Sequence, residues 1–270
     1  MSTPNPSVQL QQANQALDNF EKSAKAGVWS SIDKKTIIAD MRSRLADPFH
    51  VNQGGQPFCG PASILFELVR KQPLRYVQIC QSLFETGSFQ GQTRRIETSP
   101  RLRSSRGRLQ MAQADWMVLA TLRDAENLIF SVDPEAPDII RNLAGITKPW
   151  EMQGWTREVL GYPNVKHTIT YIYGEVSALQ QAAQIIASGG VTFALVTAEG
   201  LLQGKPPLLP YPNHWITLLG NLSIKAASNF ANLGSTHLSC DLYTWGQKKH
   251  IDVDQSPLEN CVWGIVTGQF

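Results

Sequence analysis

The chain has 270 residues, of which 42% are hydrophobic and 17% are charged, and its formal net charge is +2. A chain of this length and composition can bury a core of its own, which excludes a disordered or fibrous protein. A net charge this small exerts no general attraction on nucleic acid or on a membrane surface, so a charged partner would have to be recognised by a local patch.

The four cysteines form no CxxC pair and no short metal-ligand spacing; they are Cys59, Cys80, Cys240 and Cys261. So few cysteines in a chain this long indicate reduced thiols rather than a disulfide framework. We expect no metal and no cofactor. The last three cysteines lie in apolar periodic segments and are expected in the core.

The N-terminal sequence MSTPNPSVQLQQANQ has neither the basic nor the apolar region of an ordinary signal peptide. No apolar stretch approaches the roughly 18 residues that cross a bilayer. These features predict a protein that is made in the cytoplasm, does not enter a membrane, and leaves its cell, if it does so, without a cleaved leader.

Helical patterns dominate the first part of the chain. The spacing of apolar residues predicts helices over 7–25, 33–46, 73–86 and 111–125, and one or two within 137–160. Asp33 is expected to cap the second of these helices, and Pro73 to lie in the first turn of the third. Another apolar helix is expected to begin at Cys59. It follows a turn in the segment VNQGGQPFCGP, which is rich in turn-forming residues.

Strand patterns dominate the remainder. β-branched and aromatic residues predict strands in HTITYIYG, VTFALVTA, HWITLLG, LSCDLYTWG and CVWGIVTG, with one helix over 176–188. A helical part followed by a mostly antiparallel sheet is an α+β arrangement.

Cys59 is the candidate nucleophile. It follows a glycine-rich turn and opens an apolar helix, where the positive end of the helix dipole stabilises a thiolate. Gln53 lies six residues upstream. Its side-chain amide can donate to a developing oxyanion, together with the backbone N–H of Cys59. A thiolate with two such donors is suited to nucleophilic attack on a carbonyl.

The segment QGGQPFCGPAS, residues 53–63, resembles the papain-like cysteine peptidases. The resemblance implies Gln53 as oxyanion donor and Cys59 as the nucleophile. It also implies a basic histidine far downstream at the start of a strand, which Asn213-His214-Trp215 matches, so His214 is the candidate base. The implied fold has a helical lobe at about 51–165 that carries the nucleophile helix and a sheet lobe at about 166–270, with residues 1–50 as a helical extension packed on the core.

Two positions depart from the family pattern. Gly60 replaces the tryptophan that follows the nucleophile, and Tyr243, in the sequence YTWG, replaces the asparagine that orients the histidine. Asp241 faces the same side of that strand as Tyr243 and is the candidate third member of the site. Thr244 or a backbone carbonyl can orient His214 instead.

The CGPAS form and the helical N-terminal region are similar to bacterial effector-type papain-like proteins, including candidate cargo of type VI secretion systems. The resemblance implies a secreted antibacterial toxin, a thiol protease that cleaves a protein of the target cell. A cognate immunity protein and a carrier in the secretion apparatus would be its partners. The same site fits a deamidase, transglutaminase, acyltransferase or peptidoglycan amidase, and an inactive papain-like scaffold would serve only for binding.

The segment 94–108 contains six arginines and a single acidic residue, Glu97. Such a run is typical of a solvated surface loop. The alternative is a basic patch that recruits an acidic or nucleic-acid-associated substrate. No aromatic residue is interleaved with the arginines, so the segment does not predict a platform for single-stranded nucleic acid.

Overall fold

The computed structural model describes residues 6–105, 111–126, 147–170, 175–205, 208, 211–225, 237–254 and 260–270. The chain divides into two compact units. The first comprises Met1–Ile146 with Glu158–Gly161, and the second comprises Thr147–Arg157 with Tyr162–Phe270.

The first unit is mainly helical. Among the described residues its helices are α1 (Pro6–Lys22), α2 (Lys34–Ala46), α3 (Cys59–Lys71), α4 (Pro73–Thr86), α5 (Pro100–Ser104) and α6 (Gln113–Glu126), with a 3-10 turn at Pro48–His50. A small antiparallel hairpin joins β1 (Ser88–Gln90) to β2 (Arg95–Glu97). The sequence-predicted helices over 7–25, 33–46, 73–86 and 111–125 are therefore confirmed, with ends shifted by up to a few residues.

Local sequence signals set the ends of these helices. The Asp33 carboxylate accepts a hydrogen bond from the backbone N–H of Thr36 at 2.8 Å and caps α2 as predicted. Pro73 lies in the first turn of α4, and Gly87 ends that helix with a left-handed φ of +74°. Between these ends, α4 packs against both α1 and α3, and all three helices contribute buried apolar side chains.

The second unit contains a six-stranded sheet in which every pair of neighbouring strands is antiparallel. Its strands are β3 (Asn164–Ile169), β4 (Val191–Val196), β5 (His214–Lys225), β6 (His237–Thr244), β7 (Gln247–Asp254) and β8 (Val262–Gln269), in the spatial order β3-β8-β4-β5-β6-β7. The other helices in the part of the chain that the structure describes are α7 (Pro149–Glu158), α8 (Glu175–Ala187) and α9 (Ala198–Gln203). The protein is thus α+β with an antiparallel sheet, as predicted.

One face of the sheet packs against α8. Alternate residues of the central strands point to that face, among them Ile216 and Leu218 on β5 and Leu242 on β6. They meet Leu179 and Ala182 of α8 in a single apolar cluster. Because successive side chains of a strand point to opposite faces, every second residue lies on the face that α8 covers.

Two parts of the structure were not predicted. Strand β7 has the sequence QKKHIDVD, which is too polar for the hydrophobic pattern of a strand, and it forms because it pairs along its whole length with β6 at the edge of the sheet. The basic segment 94–108 was expected to be a surface loop, but it contains β2 and α5. The expected helical residues 137–146 and strand residues 171–174 lie outside the described residues.

No helix among the described residues is long and apolar enough to cross a membrane.

Candidate active site

Cys59 is the first residue of α3, and a tight turn precedes it. The carbonyl of Gln53 accepts a hydrogen bond from the N–H of Gln56 at 3.0 Å. Gly54 and Gly55, between them, have φ angles of +58° and +75°, a conformation that other residues adopt only at a cost. The glycine pair thus allows the chain to reverse before the helix, and Cys59 is buried at the positive end of the α3 dipole.

The side chain of Gln53 is buried beside this turn. Its Nε2 donates to the carbonyl oxygen of Gln56 at 2.7 Å. A side-chain amide has two N–H donors, and this bond uses one of them. The bond also fixes the direction of the amide, so the second N–H has a defined orientation.

A buried ion pair anchors the start of the same loop. Arg44 of α2 donates from Nε and Nη2 to the two carboxylate oxygens of Asp115 on α6, at 3.1 and 2.8 Å. Asp115 Oδ2 also accepts from the backbone N–H of Asn52 at 3.0 Å. The Asn52 side chain in turn accepts from the N–H of Gly54 at 2.8 Å. Sequence reasoning missed this anchor, because nothing in the sequence pairs Arg44 with Asp115 across 71 positions.

His214 is the first residue of β5 in the second unit, opposite Val196 of β4. Its Nε2 is 2.7 Å from Oγ1 of Thr244, the last residue of β6. The indole of Trp245 stacks on the imidazole with ring centroids 4.6 Å apart and an angle of 28° between the planes. One hydroxyl and one aromatic face therefore hold the ring of His214.

Burial controls the charge of His214. Loss of solvent lowers the pKa of its imidazole to about 3, and the positive charge of Lys249 acts in the same direction. The ring is consequently neutral near pH 7. A pKa this low makes the imidazole a weak base on its own, so proton transfer from a thiol is favoured only where the resulting thiolate stabilises the imidazolium.

Asp241 does not orient His214, which corrects the expectation from the sequence. Its two carboxylate oxygens bind Asn221 at 2.8 Å, Lys248 at 2.9 Å and His250 at 2.8 Å. Hydrogen bonds from Lys248 and His250 lower the pKa of Asp241 to about 2. The reason is the alternation along β6: Asp241 is three residues before Thr244, so the two side chains leave opposite faces of the strand.

A second set of hydrogen bonds holds the chain immediately before His214. The backbone N–H of Asn213 donates to the carbonyl of Val196 at 3.1 Å. The Asn213 side chain accepts from the N–H of Ala198 at 2.9 Å and donates to Glu199 at 2.7 Å. The start of β5 is therefore tied to the start of α9, an arrangement that the sequence did not indicate.

The remaining cysteines are buried, as expected, and none of the four forms a disulfide. In the basic segment, Arg94 pairs with Glu126 and Arg95 with Glu97, which reduces its exposed positive charge. Two further arginines of the segment, Arg106 and Arg108, lie outside the described residues. Within the ranges that the structure describes, no three His, Cys, Asp or Glu side chains are grouped so as to hold a metal ion.

The site residues expected from the sequence are distributed over both units. Gln53 and Cys59 lie together in the first unit, and His214, Thr244 and Asp241 lie in the second. Each unit carries its half of the expected site on the secondary structure that the motif requires: a helix start for the cysteine and a strand start for the histidine.

No protein-family model matches this chain, and a comparison with curated proteins finds none that is significantly similar in sequence.

Proposed function

We propose that this protein is a cysteine hydrolase with a papain-like site, in which Cys59 is the nucleophile and His214 its general base. The observation that carries the proposal is the arrangement of His214: a buried imidazole at a strand start, held at Nε2 by Thr244 and covered by Trp245. With Nε2 fixed in this way, Nδ1 can take the proton of a thiol, and the thiolate that forms stabilises the imidazolium. Cys59, at the start of a buried helix, is the matching nucleophile.

The proposed reaction begins with proton transfer from the Cys59 thiol to Nδ1 of His214. This assignment uses the tautomer in which Nε2–H donates to the Thr244 hydroxyl and Nδ1 carries the lone pair. The thiolate then attacks an amide carbonyl, and the second N–H of Gln53 stabilises the oxyanion at the positive end of α3. His214 returns its proton to the leaving amine, and water then releases the acyl group from the sulfur.

The substrate class follows from the same resemblance that suggests the site. We infer that the substrate is a peptide bond in a protein of a target cell and that the chain acts as a secreted antibacterial effector with a cognate immunity protein. A deamidase or an acyltransferase would use the same thiolate on a different amide or with a different acceptor. A cell-wall amidase would act on peptidoglycan.

The decisive experiment compares wild type with Cys59→Ala, each expressed in a bacterial cytosol and, separately, in the periplasm. New protein N-termini that require Cys59 support a protease, whereas a gain of about one mass unit on glutamine side chains without new termini supports a deamidase. Toxicity confined to the periplasm, with cleavage of purified sacculi, supports a cell-wall amidase.

Equal toxicity and identical peptide patterns in wild type and Cys59→Ala would contradict the hydrolase. Circular dichroism of the two purified proteins is the control for folding. Cys80→Ala is the matched control for loss of a buried thiol, because Cys80 lies in the core of the same unit.

A further inference from the structure

The turn between β6 and β7 places a tryptophan against the imidazole of His214. Thr244 and Gln247 form the last pair of the hairpin, so Trp245 and Gly246 are its two turn residues. Their φ angles are +49° and +71°, in the left-handed region that such turns require and that glycine or asparagine usually fills. A tryptophan in this conformation is strained, and strain of this kind is concentrated at functional sites.

Lys249 contacts the same tryptophan. Its Nζ lies 5.0 Å from the centroid of the Trp245 ring, within the range of a cation–π interaction. Lys249 is half-buried and shares one face of β7 with Ile251 and Val253, which pack on the apolar cluster of the sheet. The alternation of the strand favours an apolar residue at this position, and the chain places an ammonium there instead.

We propose that Lys249 is a positioning residue that holds Trp245 against His214, and that its ammonium adds to burial in disfavouring protonation of the imidazole. A fixed positive charge disfavours a second positive charge nearby, and more strongly in a buried site than in water. The catalytic meaning of this inference rests on the proposed function. The electrostatic effect itself does not depend on any activity.

The strands next to His214 present no opposing charge among the described residues. The neighbour on β4 is Val196, and the neighbour on β6 is the Thr244 hydroxyl. Burial raises the pKa of Cys240 on β6 to about 12 and also raises the pKa of Cys261. Both thiols are therefore uncharged near neutral pH.

The nearby carboxylates are engaged elsewhere. Glu199 accepts a hydrogen bond from the side chain of Asn213. Asp241 is paired with Lys248 and His250, and all three side chains project from the face of the hairpin opposite to that of Lys249. Lys249 is thus the charge that acts on the ring of His214.

NMR of the full chain tests this inference, through the Cε1–H signal of His214 in a Cys59→Ala background. Lys249→Met removes the charge and keeps an aliphatic side chain beside Trp245. At about pH 4.5, the protonated fraction of His214 is expected to rise roughly tenfold in this variant, as the loss of a unit charge on the order of 10 Å away implies.

Two variants serve as controls. Lys249→Arg keeps both the charge and the contact with the tryptophan and is expected to titrate like its parent. Lys248→Met removes the neighbouring lysine, which bonds to Asp241 at 2.9 Å on the other face, and is expected to leave His214 unchanged. If Lys249→Met leaves the titration unchanged, or if Lys248→Met changes it equally, the proposal is overturned.

This readout separates the inference from the proposed function. The titration reports on the imidazole alone, so a protein that proves inactive as a hydrolase still gives a result for Lys249. Conversely, a negative result for Lys249 leaves the Cys59→Ala comparison intact.

Discussion

The hydroxyl of Thr244 makes the hydrogen bond that holds the imidazole of His214, and it can be removed with little change in shape. In Thr244→Val the buried Nε2 loses its partner. We predict that the rate of Cys59-dependent hydrolysis falls about fivefold, which corresponds to the loss of one hydrogen bond of about 1 kcal/mol that orients the base. Rates measured with saturating substrate report this loss.

Thr217 provides the matched control for that substitution. It is fully buried on β5, and its hydroxyl has no hydrogen-bond partner in the part of the chain that the structure describes. Thr217→Val therefore removes an unsatisfied polar group and is expected to leave the rate unchanged and the protein as stable or more stable. Equal losses of rate in Thr217→Val and Thr244→Val would contradict a specific role for Thr244.

The pKa of His214 predicts a dependence of stability on pH. The folded value, about 3, lies below the ordinary value of 6.5, so between these limits the unfolded chain binds a proton that the folded protein does not. The stabilising contribution is therefore complete above about pH 6.5 and is lost as the pH falls toward 3. The resulting loss of stability between pH 7 and pH 5 is roughly 2 kcal/mol.

Urea unfolding at these two pH values, in wild type and in His214→Gln, measures that contribution. The variant cannot bind the extra proton on unfolding, so its free energy of unfolding is expected to fall less on acidification. Asp241, with its pKa lowered to about 2, titrates below this window and adds nothing to the difference. Parallel losses in the two proteins would show that the imidazole is not held neutral.

At the scale of secondary-structure elements, the Arg44–Asp115 pair connects α2, α6 and the loop that precedes Cys59. Both side chains are almost completely buried. We predict that Asp115→Ala lowers the free energy of unfolding by about 3 to 5 kcal/mol, because it leaves the guanidinium of Arg44 buried without its partner. Equilibrium unfolding in urea measures the change.

Arg42 lies on the same helix and allows a direct comparison. It pairs with Asp18 and Glu21 on α1, but these three side chains are about half exposed. Arg42→Ala is therefore expected to cost less than about 1 kcal/mol. If the two substitutions cost the same, the burial of the Arg44–Asp115 pair does not determine its contribution.

The elements that could be predicted from the sequence are those whose signals are local. The Asp33 cap, Pro73 at the start of α4 and the glycine turn before Cys59 each act within a few residues of the element they define. Strand β7 could not be predicted, because its pairing with β6 rather than its composition makes it a strand.

At the scale of the whole molecule, the same distinction applies to the candidate site. Cys59, Gln53 and His214 stand in motifs with characteristic neighbours, and the sequence alone indicates them. Asp115, which holds the loop, comes from a distant position and has no motif, whereas Thr244, which holds the imidazole, stands in the sequence YTWG and was one of the expected alternatives. Asp241 was expected to orient His214 because it shares a face of the strand with Tyr243, but the side chain that holds the imidazole is Thr244, which leaves the opposite face.

The proposed mechanism requires Cys59 of one unit and His214 of the other to act together, and the reactivity of the four thiols tests this. Burial raises the pKa values of Cys80, Cys240 and Cys261, so iodoacetamide near pH 7 is expected to modify Cys59 first. In His214→Gln the alkylation of Cys59 should slow by about tenfold or more, because its proton acceptor is gone. Peptide mass spectrometry follows each thiol separately, and the other three serve as internal references. An unchanged rate at Cys59 would show that the imidazole does not activate the sulfur, and the dyad would have to be abandoned.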